Sequence, residues 1–352
     1  MPDDRPCEPL TTASGDPRSE APVHWLDPVP FLRGTAWLDG GRPVRADPED
    51  LERLPWDIAE RAALPIGVRI EFTAAPGTRA VELRYRAAIP GSDDPLRALR
   101  HCFALWQGTR CVGETFAPPA PEAVVRLPLP PYGGVFALYL PEGQAPVPLA
   151  LRAVGGALSP APARPRWLVH GDSITEGWWS TRPAHSWPAT AGRLLGLDPV
   201  NLGYAGGARG ELPLAEQLSR LDGEVITLAF GTNCWSRAPA TADWLYATVR
   251  AFVGLVRRGH PDAPLLILSP VLRPEAEHTR NALGATLTEL RRAMERAGRD
   301  LAAEGDSRLL VLSGRPLLGP EHLADGLHPN DAGHARMAAA VTEVLRGALK
   351  AP

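Results

Sequence analysis

The chain of 352 residues lacks several features that would assign it quickly. No run approaches the eighteen or so consecutive apolar residues of a membrane helix, so no membrane partner is expected. The opening stretch MPDDRPCEPLTTASGDPRSEAP has no basic region followed by an apolar one and does not read as a secretory signal. Residues 1–22, polar and rich in Pro, are expected to form a disordered tail on a cytoplasmic protein. Charge of one sign is also missing: 37 basic and 40 acidic residues leave a net charge of -3, which argues against nucleic acid or an acidic membrane surface as a partner. Lysine is nearly absent, Lys350 standing against a background of arginine, which we read as codon bias. Cys7, Cys102, Cys111 and Cys234 show no C-x-x-C spacing, so neither a zinc site nor a disulfide framework is indicated and free thiols are expected. There is no G-x-G-x-x-G and no P-loop, which excludes the usual nucleotide cradles, and no G-x-S-x-G nucleophile elbow. No cofactor and no metal is expected.

What is present suggests two units, since the length exceeds the usual size of one core. From Phe31 to Ala153 the pattern has period two: Ile66, Val68, Ile70 and Phe72 alternate with polar or small residues, as do Val81, Leu83 and Tyr85, then Val135, Ala137 and Tyr139. Turn signals at Ala75-Pro-Gly77, Pro90-Gly91 and Pro141-Glu-Gly143 favour an antiparallel β-sandwich of jelly-roll type over residues 23–155. A Gly/Pro-rich linker follows at 156–165. Beyond it, short apolar runs at Arg166 to His170, Pro199 to Gly203, Val225 to Phe230, Leu265 to Ser269 and Leu309 to Leu312 alternate with helical stripes. The stripes are Leu245, Val249, Phe252 and Val256; Leu283, Leu287, Leu290, Met294, Ala297 and Leu301; and Met337, Val341 and Leu345 after Asn330. Residues 166–352 therefore predict an α/β fold, a doubly wound parallel sheet whose reactive groups gather beyond the carboxyl ends of its strands.

The first of those strands runs into HGDSITEGWW, with Ser173 three residues past its end. Taken alone, a serine there reads as a helix cap. Three further segments end strands of the same sheet, however. Asn201-Leu-Gly-Tyr-Ala-Gly-Gly-Ala-Arg-Gly210 would let backbone N–H groups approach a ligand. Phe230-Gly-Thr-Asn-Cys234 offers the amide of Asn233, and Ala324-Asp-Gly-Leu-His-Pro-Asn330 supplies a carboxylate and an imidazole. One sheet edge thus collects a candidate nucleophile, Ser173, a base, His328, and an acid to orient it, Asp325. Oxyanion donors are available from Ser173 N–H, Gly206 N–H and Asn233.

HGDSITEG, NLGYAGGARG, GTNC and DGLHPN resemble, in order, the four sequence blocks of the SGNH, or GDSL, hydrolase superfamily. The resemblance covers Arg166 to Leu349. It implies a flavodoxin-like fold, Ser173 as nucleophile, Gly206 and Asn233 in the oxyanion hole, and Asp325 with His328 as acid and base. The family's third block usually ends Asn-Asp where this chain has Asn233-Cys234, which implies altered loop geometry with catalysis retained. A sandwich ahead of such a domain is similar to carbohydrate esterases, and some two-domain members are natural-product acyltransferases.

Several residues invite alternatives. His170 and His334 read as packed histidines, and His322, Asp325 and His328 lack a recognised metal-ligand pattern. Cys234 as a second nucleophile has nothing nearby in sequence to lower its pKa. Trp178, Trp179, Trp187 and Trp235 closely follow the blocks, and Trp178 and Trp235 are the candidates to line a cleft. Three functions remain open: a serine esterase acting on an O-acyl ester of a small metabolite or saccharide, an acyltransferase delivering the acyl group to an alcohol acceptor, and an inactive glycan-binding protein.

Overall fold

The computed structural model describes residues 24–87, 102–116 and 120–350. The expected tail at 1–22, Cys7 and the turn at Pro90-Gly91 lie outside those residues. Two antiparallel sheets face each other in the N-terminal part. One runs in the order Leu32–Arg33, Arg69–Ala74, Gly134–Tyr139, Cys102–Gln107, Arg110–Phe116, with Leu158–Pro160 also pairing to Arg69–Ala74. The other is Val147–Val154, Ala80–Arg86, Ala123–Pro128. Between them lie Ile70, Phe72, Val81, Leu83, Phe103, Leu105, Val125, Leu127, Phe136 and Leu138, all buried.

The Gly134–Tyr139 strand has the opposite parity to the one expected. Phe136 and Leu138 point into the sandwich, whereas Val135 is 46% exposed. Ala137 and Tyr139 turn to the outer face, where they meet Ala184 and Ala189 of the α/β unit. Both faces of this strand are partly covered, so apolar residues occupy both registers and alternation alone does not select one. Among the cysteines, Cys102 and Cys234 are free and buried, but Cys111 is disulfide-bonded, which corrects the expectation for that residue. Spacing along the chain carries no information about which distant thiols meet in the fold.

The α/β unit is a five-stranded parallel sheet. Its strands are β1 (Arg166–Gly171), β2 (Asp198–Gly203), β3 (Val225–Ala229), β4 (Leu265–Leu268) and β5 (Leu309–Leu312), in the order β2-β1-β3-β4-β5. Successive residues serve opposite faces. In β4, Leu265 and Ile267 join the cluster containing Leu245, Val249, Phe252 and Val256, while Leu266 and Leu268 join the one containing Trp187, Met337, Val341 and Leu345. The helices are α1 (Ser173–Glu176), α2 (Trp187–Leu195), α3 (Leu212–Arg220), α4 (Asn233–Ser236), α5 (Ala242–Gly259), α6 (Leu287–Ala303) and α7 (Asp331–Lys350). Thr286 starts α6 with a capping box shared with Glu289, so the helix begins too late to include Leu283, which is 57% exposed and not core.

The N-terminal part also reaches into this unit. Ala46, Leu54, Ile58 and Ala62, the last two on the short helix Trp56–Ala62, share a core with Leu168, Val200, Leu202 and Tyr204. Among the described residues no helix is long and apolar enough to cross a membrane.

Candidate active site

The carboxyl edge of the parallel sheet brings the expected residues together. Asp172 caps α1, its Oδ1 accepting the Ile174 N–H at 3.0 Å, and this turn lifts Ser173 off the end of β1. The sequence reading of Ser173 as a cap is thus displaced by one residue: Asp172 caps, and Ser173 opens the helix. From the loop before α7, His328 Nε2 lies 2.9 Å from Ser173 Oγ. On its other side, His328 Nδ1 lies 2.7 Å from Asp325 Oδ2. The second carboxylate oxygen, Oδ1, accepts the backbone N–H groups of Leu327 at 3.0 Å and His328 at 2.7 Å.

The electrostatics follow from these contacts. Burial raises the Asp325 carboxyl, but the His328 N–H and imidazole outweigh it, so it sits below its ordinary value and stays ionised. Burial lowers His328 below the usual imidazole range despite the opposing pull of Asp325, so the ring is neutral near pH 7. A neutral ring bonded to Asp325 through Nδ1–H has its Nε2 lone pair free for the Ser173 hydroxyl proton.

The proposed oxyanion segments converge on the same edge. Asn233 opens α4, and one of its Nδ2 protons goes to Gly207 O at 2.7 Å, tying the third block to the second. Gly206 has φ +77°, a conformation glycine takes without penalty. Gly207 is required for a different reason, since a Cβ there would lie 2.7 Å from Ile58 Cγ1. Cys234, at the position where the resembled family usually has Asp, is fully buried, and burial pushes its thiol up to about 12. It is a core residue with no access to the site, which removes it as a second nucleophile.

The tryptophans divide by role. Trp178 is half-buried, and its ring lies 5.2 Å from the His328 ring. Trp235 donates its indole N–H to Thr279 O at 2.8 Å, with the Arg273 guanidinium 4.6 Å from its ring. Trp187 is core, packed on Trp167 at 5.9 Å. Trp179 instead donates its indole N–H to Asp325 Oδ2 at 2.9 Å. His170 and His334 are both fully buried. His322 Nδ1 accepts the Gly319 N–H at 3.0 Å, and among the described residues no group of His, Cys, Asp and Glu is arranged to hold a metal.

Sequence reasoning missed the support from the N-terminal part. Arg45, 1% exposed, donates to Gly203 O at the end of β2 and to Leu64 O. Asp57 forms a two-pronged pair with Arg209 at 3.0 and 3.1 Å. No local pattern marks a lone Arg45 as buried; the one available signal was the amphipathic spacing of Ile58 and Ala62 on their short helix.

Residues 169–336 match the model of the GDSL-like lipase/acylhydrolase family. These residues form a GDSL acylhydrolase domain. The protein is accordingly an enzyme that acts on ester bonds. No curated protein matches the sequence. Among solved structures, the salicylyl-acyltransferase SsfX3 from a tetracycline biosynthetic pathway superposes with TM-score 0.81 at 23% identity, over 95% of this chain and 99% of that one. A family two carbohydrate esterase from Clostridium thermocellum, in complex with cellohexaose, has TM-score 0.60 at 17% identity, over 80% of this chain and 92% of that one. A family two carbohydrate esterase from Cellvibrio japonicus gives 0.61 at 16%, over 93% and 98%. At these identities the GDSL enzyme shares a fold with its neighbours, sandwich included.

Proposed function

We propose that the protein is a serine esterase that cleaves an O-acyl ester of a small metabolite or saccharide through an acyl-enzyme. The observation that carries this is the unbroken hydrogen-bonded chain from Ser173 Oγ through His328 to Asp325, at 2.9 and 2.7 Å. His328 Nε2 takes the hydroxyl proton as Ser173 Oγ attacks the ester carbonyl carbon. The resulting oxyanion is met by the N–H groups of Ser173 and Gly206 and by the second Nδ2 proton of Asn233. The tetrahedral species collapses, the carbon–oxygen bond to the alcohol breaks, and imidazolium returns its proton to the leaving oxygen. Water then repeats the sequence in reverse roles and releases the acid. Asp325 remains ionised throughout, holding the tautomer and stabilising the imidazolium.

The whole-chain likeness to an acyltransferase supports a second reading, in which an alcohol replaces water in the second half. Water and alcohol compete for one intermediate, so the outcome turns on how dry the site is. The test uses a chromogenic short-chain ester with and without excess alcohols or sugars, and a fluorophosphonate probe. Wild type should release chromophore and take the label, and Ser173→Ala should do neither. Faster release with acceptor, together with an acylated acceptor by mass spectrometry, replaces hydrolysis by transfer. Absence of labelling in wild type would refute both and leave an inactive glycan-binding protein.

A further inference from the structure

Trp178 and Trp179 are adjacent in sequence, yet they serve different members of the Ser173–His328–Asp325 chain. Trp178 lies against the His328 ring, their planes 31° apart. Trp179 reaches across 146 residues of sequence to Asp325. With φ +64° it is in the left-handed region, where a bulky aromatic residue is an outlier. Such a conformation persists only where its surroundings over-determine it.

Here they do. The N–H groups of Gly177 and Trp178 both donate to Ser173 O, at 3.0 and 2.9 Å, so the turn is wound onto the helix that carries Ser173. The Ser180 hydroxyl donates to Gly177 O at 2.8 Å. Thr181 closes the turn on Asp331, through N–H at 2.8 Å and Oγ1 at 2.5 Å. His334 Nε2 lies 2.9 Å from Trp178 O. The turn therefore bridges the segment bearing Ser173 and the one bearing Asp325 and His328.

The acceptor capacity of Asp325 shows what this achieves. Oδ1 is filled by two backbone N–H groups, and Oδ2 accepts from His328 Nδ1 and from Trp179 Nε1. A carboxylate has about four acceptor positions, so Trp179 takes the last one. That position would otherwise go to solvent, because the Asp325 side chain is 34% exposed. We infer that Trp179 is a positioning residue for the reaction: its indole N–H fixes the plane of the Asp325 carboxylate and moderates its basicity, and through Asp325 it sets the orientation and proton affinity of His328. The inference rests on the proposed roles of Ser173, His328 and Asp325.

The direction of the effect follows from charge. A donor on Oδ2 spreads the carboxylate's negative charge, which weakens its hold on imidazolium. Removing the donor concentrates charge on the oxygen that faces His328 and raises the proton affinity of the ring. The cleanest perturbation replaces Trp179 with β-(3-benzothienyl)alanine, which keeps the ring's size and puts sulfur where the N–H was. Trp179→Phe provides a second, genetically simple variant. With 4-nitrophenyl acetate, the isostere should lose about tenfold in kcat, as expected for one hydrogen bond to a charged group, with KM within about twofold. The acid limb of kcat/KM should move to higher pH by about half a unit. The rate of fluorophosphonate inactivation should shift with pH in the same way. A purely structural staple would leave that limb in place. An isostere and a Trp179→Phe enzyme that keep wild-type kcat with an unmoved limb, or one moved to lower pH, would overturn the inference. A wild type that neither hydrolyses the ester nor takes the label would instead refute the proposed triad.

Discussion

His170→Phe tests how the site's foundation responds to acid. His170 is fully buried at the end of β1, among the described residues neither ring nitrogen has a partner in good hydrogen-bond geometry, the Leu202 backbone opposes the effect of burial, and the ring is boxed by Tyr204, Phe230 and Phe252 at 6.0, 5.9 and 5.1 Å. Burial lowers its pKa from 6.5 to about 4. Above pH 6.5 the ring is neutral in the folded and unfolded states, and it adds no pH dependence. As pH falls through 6.5 the unfolded chain takes up a proton that the folded protein refuses until about pH 4, so stability is lost across that window. The full loss is about 3 kcal/mol, of which about 2 kcal/mol has accrued by pH 5. Asp172, pushed up to about 7 by burial, acts in the opposite sense, costing stability as pH rises from 3.8 towards 7. Because that contribution is common to wild type and His170→Phe, the difference between the two proteins isolates His170. The assay is the melting temperature of both from pH 8 to pH 4.5. Phenylalanine should shift Tm by some constant packing amount at pH 8 and then gain on wild type by roughly 4 °C by pH 5. Two curves that stay parallel throughout would refute the account, because the buried ring would then take up its proton as readily in the folded state as in the unfolded one.

Other consequences are as direct. Asn233→Ala should lower kcat by about a hundredfold or more through loss of one oxyanion donor, with KM little changed, by steady-state kinetics on the chromogenic ester. The acid limb of kcat/KM in wild type should fall below pH 6.5, because burial lowers His328 and only the free base can accept the Ser173 proton; a limb above 6.5 would contradict the site's electrostatics. Arg69→Met should cost about 3–5 kcal/mol in urea unfolding, because Arg69 bonds Glu71 at 2.6 Å and Asp198 at 2.5 Å with all three buried; its loss takes the buried cation from Asp198, which keeps the Gly34 N–H at 3.0 Å, while Glu71 retains Arg164. Adding Asp198→Asn to that variant should recover part of the loss.

The parallel sheet was legible because its strands are short apolar runs buried on both faces. Each lies within a residue or so of its expected limits, as Leu309–Leu312 does. The helical stripes were legible for the same reason, except where a cap intervened: Thr286 sets the start of α6, and Leu283 three residues earlier is excluded although it continues the period. Period two misled in Gly134–Tyr139 because the outer face of that strand is an interface. Tyr139 there is as buried as Phe136, and the Tyr139 hydroxyl accepts from Arg193 of α2 at 2.9 Å. At the site, the four blocks pointed to Ser173, Asp325 and His328, which the structure joins by hydrogen bonds, and to Asn233, which it ties to Gly207, because residue type alone marks such candidates. Trp179 was invisible as a partner of Asp325, since its role comes from a left-handed turn that only the packing around it specifies.

The N-terminal part belongs to the site in a way that a boundary drawn by composition conceals. Glu176, buried at the end of α1, accepts the Ala205 N–H at 2.7 Å, next to Gly206, and lies 3.9 Å from Arg45 and 3.8 Å from Arg61. The Tyr204 hydroxyl donates to Arg45 O at 2.5 Å, Ile58 presses on Gly207, and Asp57 holds Arg209. Every residue from Tyr204 to Arg209 except Gly206 and Ala208 is thus fixed, directly or through Glu176, by the segment 45–61, on the loop whose Gly206 N–H is the proposed oxyanion donor. A donor contributes to catalysis only when it is aimed before charge develops, because reorienting it during the reaction would forfeit the gain. The glycines that allow close approach also leave the loop with little stiffness of its own. Packing from the segment at 45–61 supplies that stiffness, so under the proposed mechanism the accessory part of the chain acts through the geometry of this loop, without contributing a reacting group.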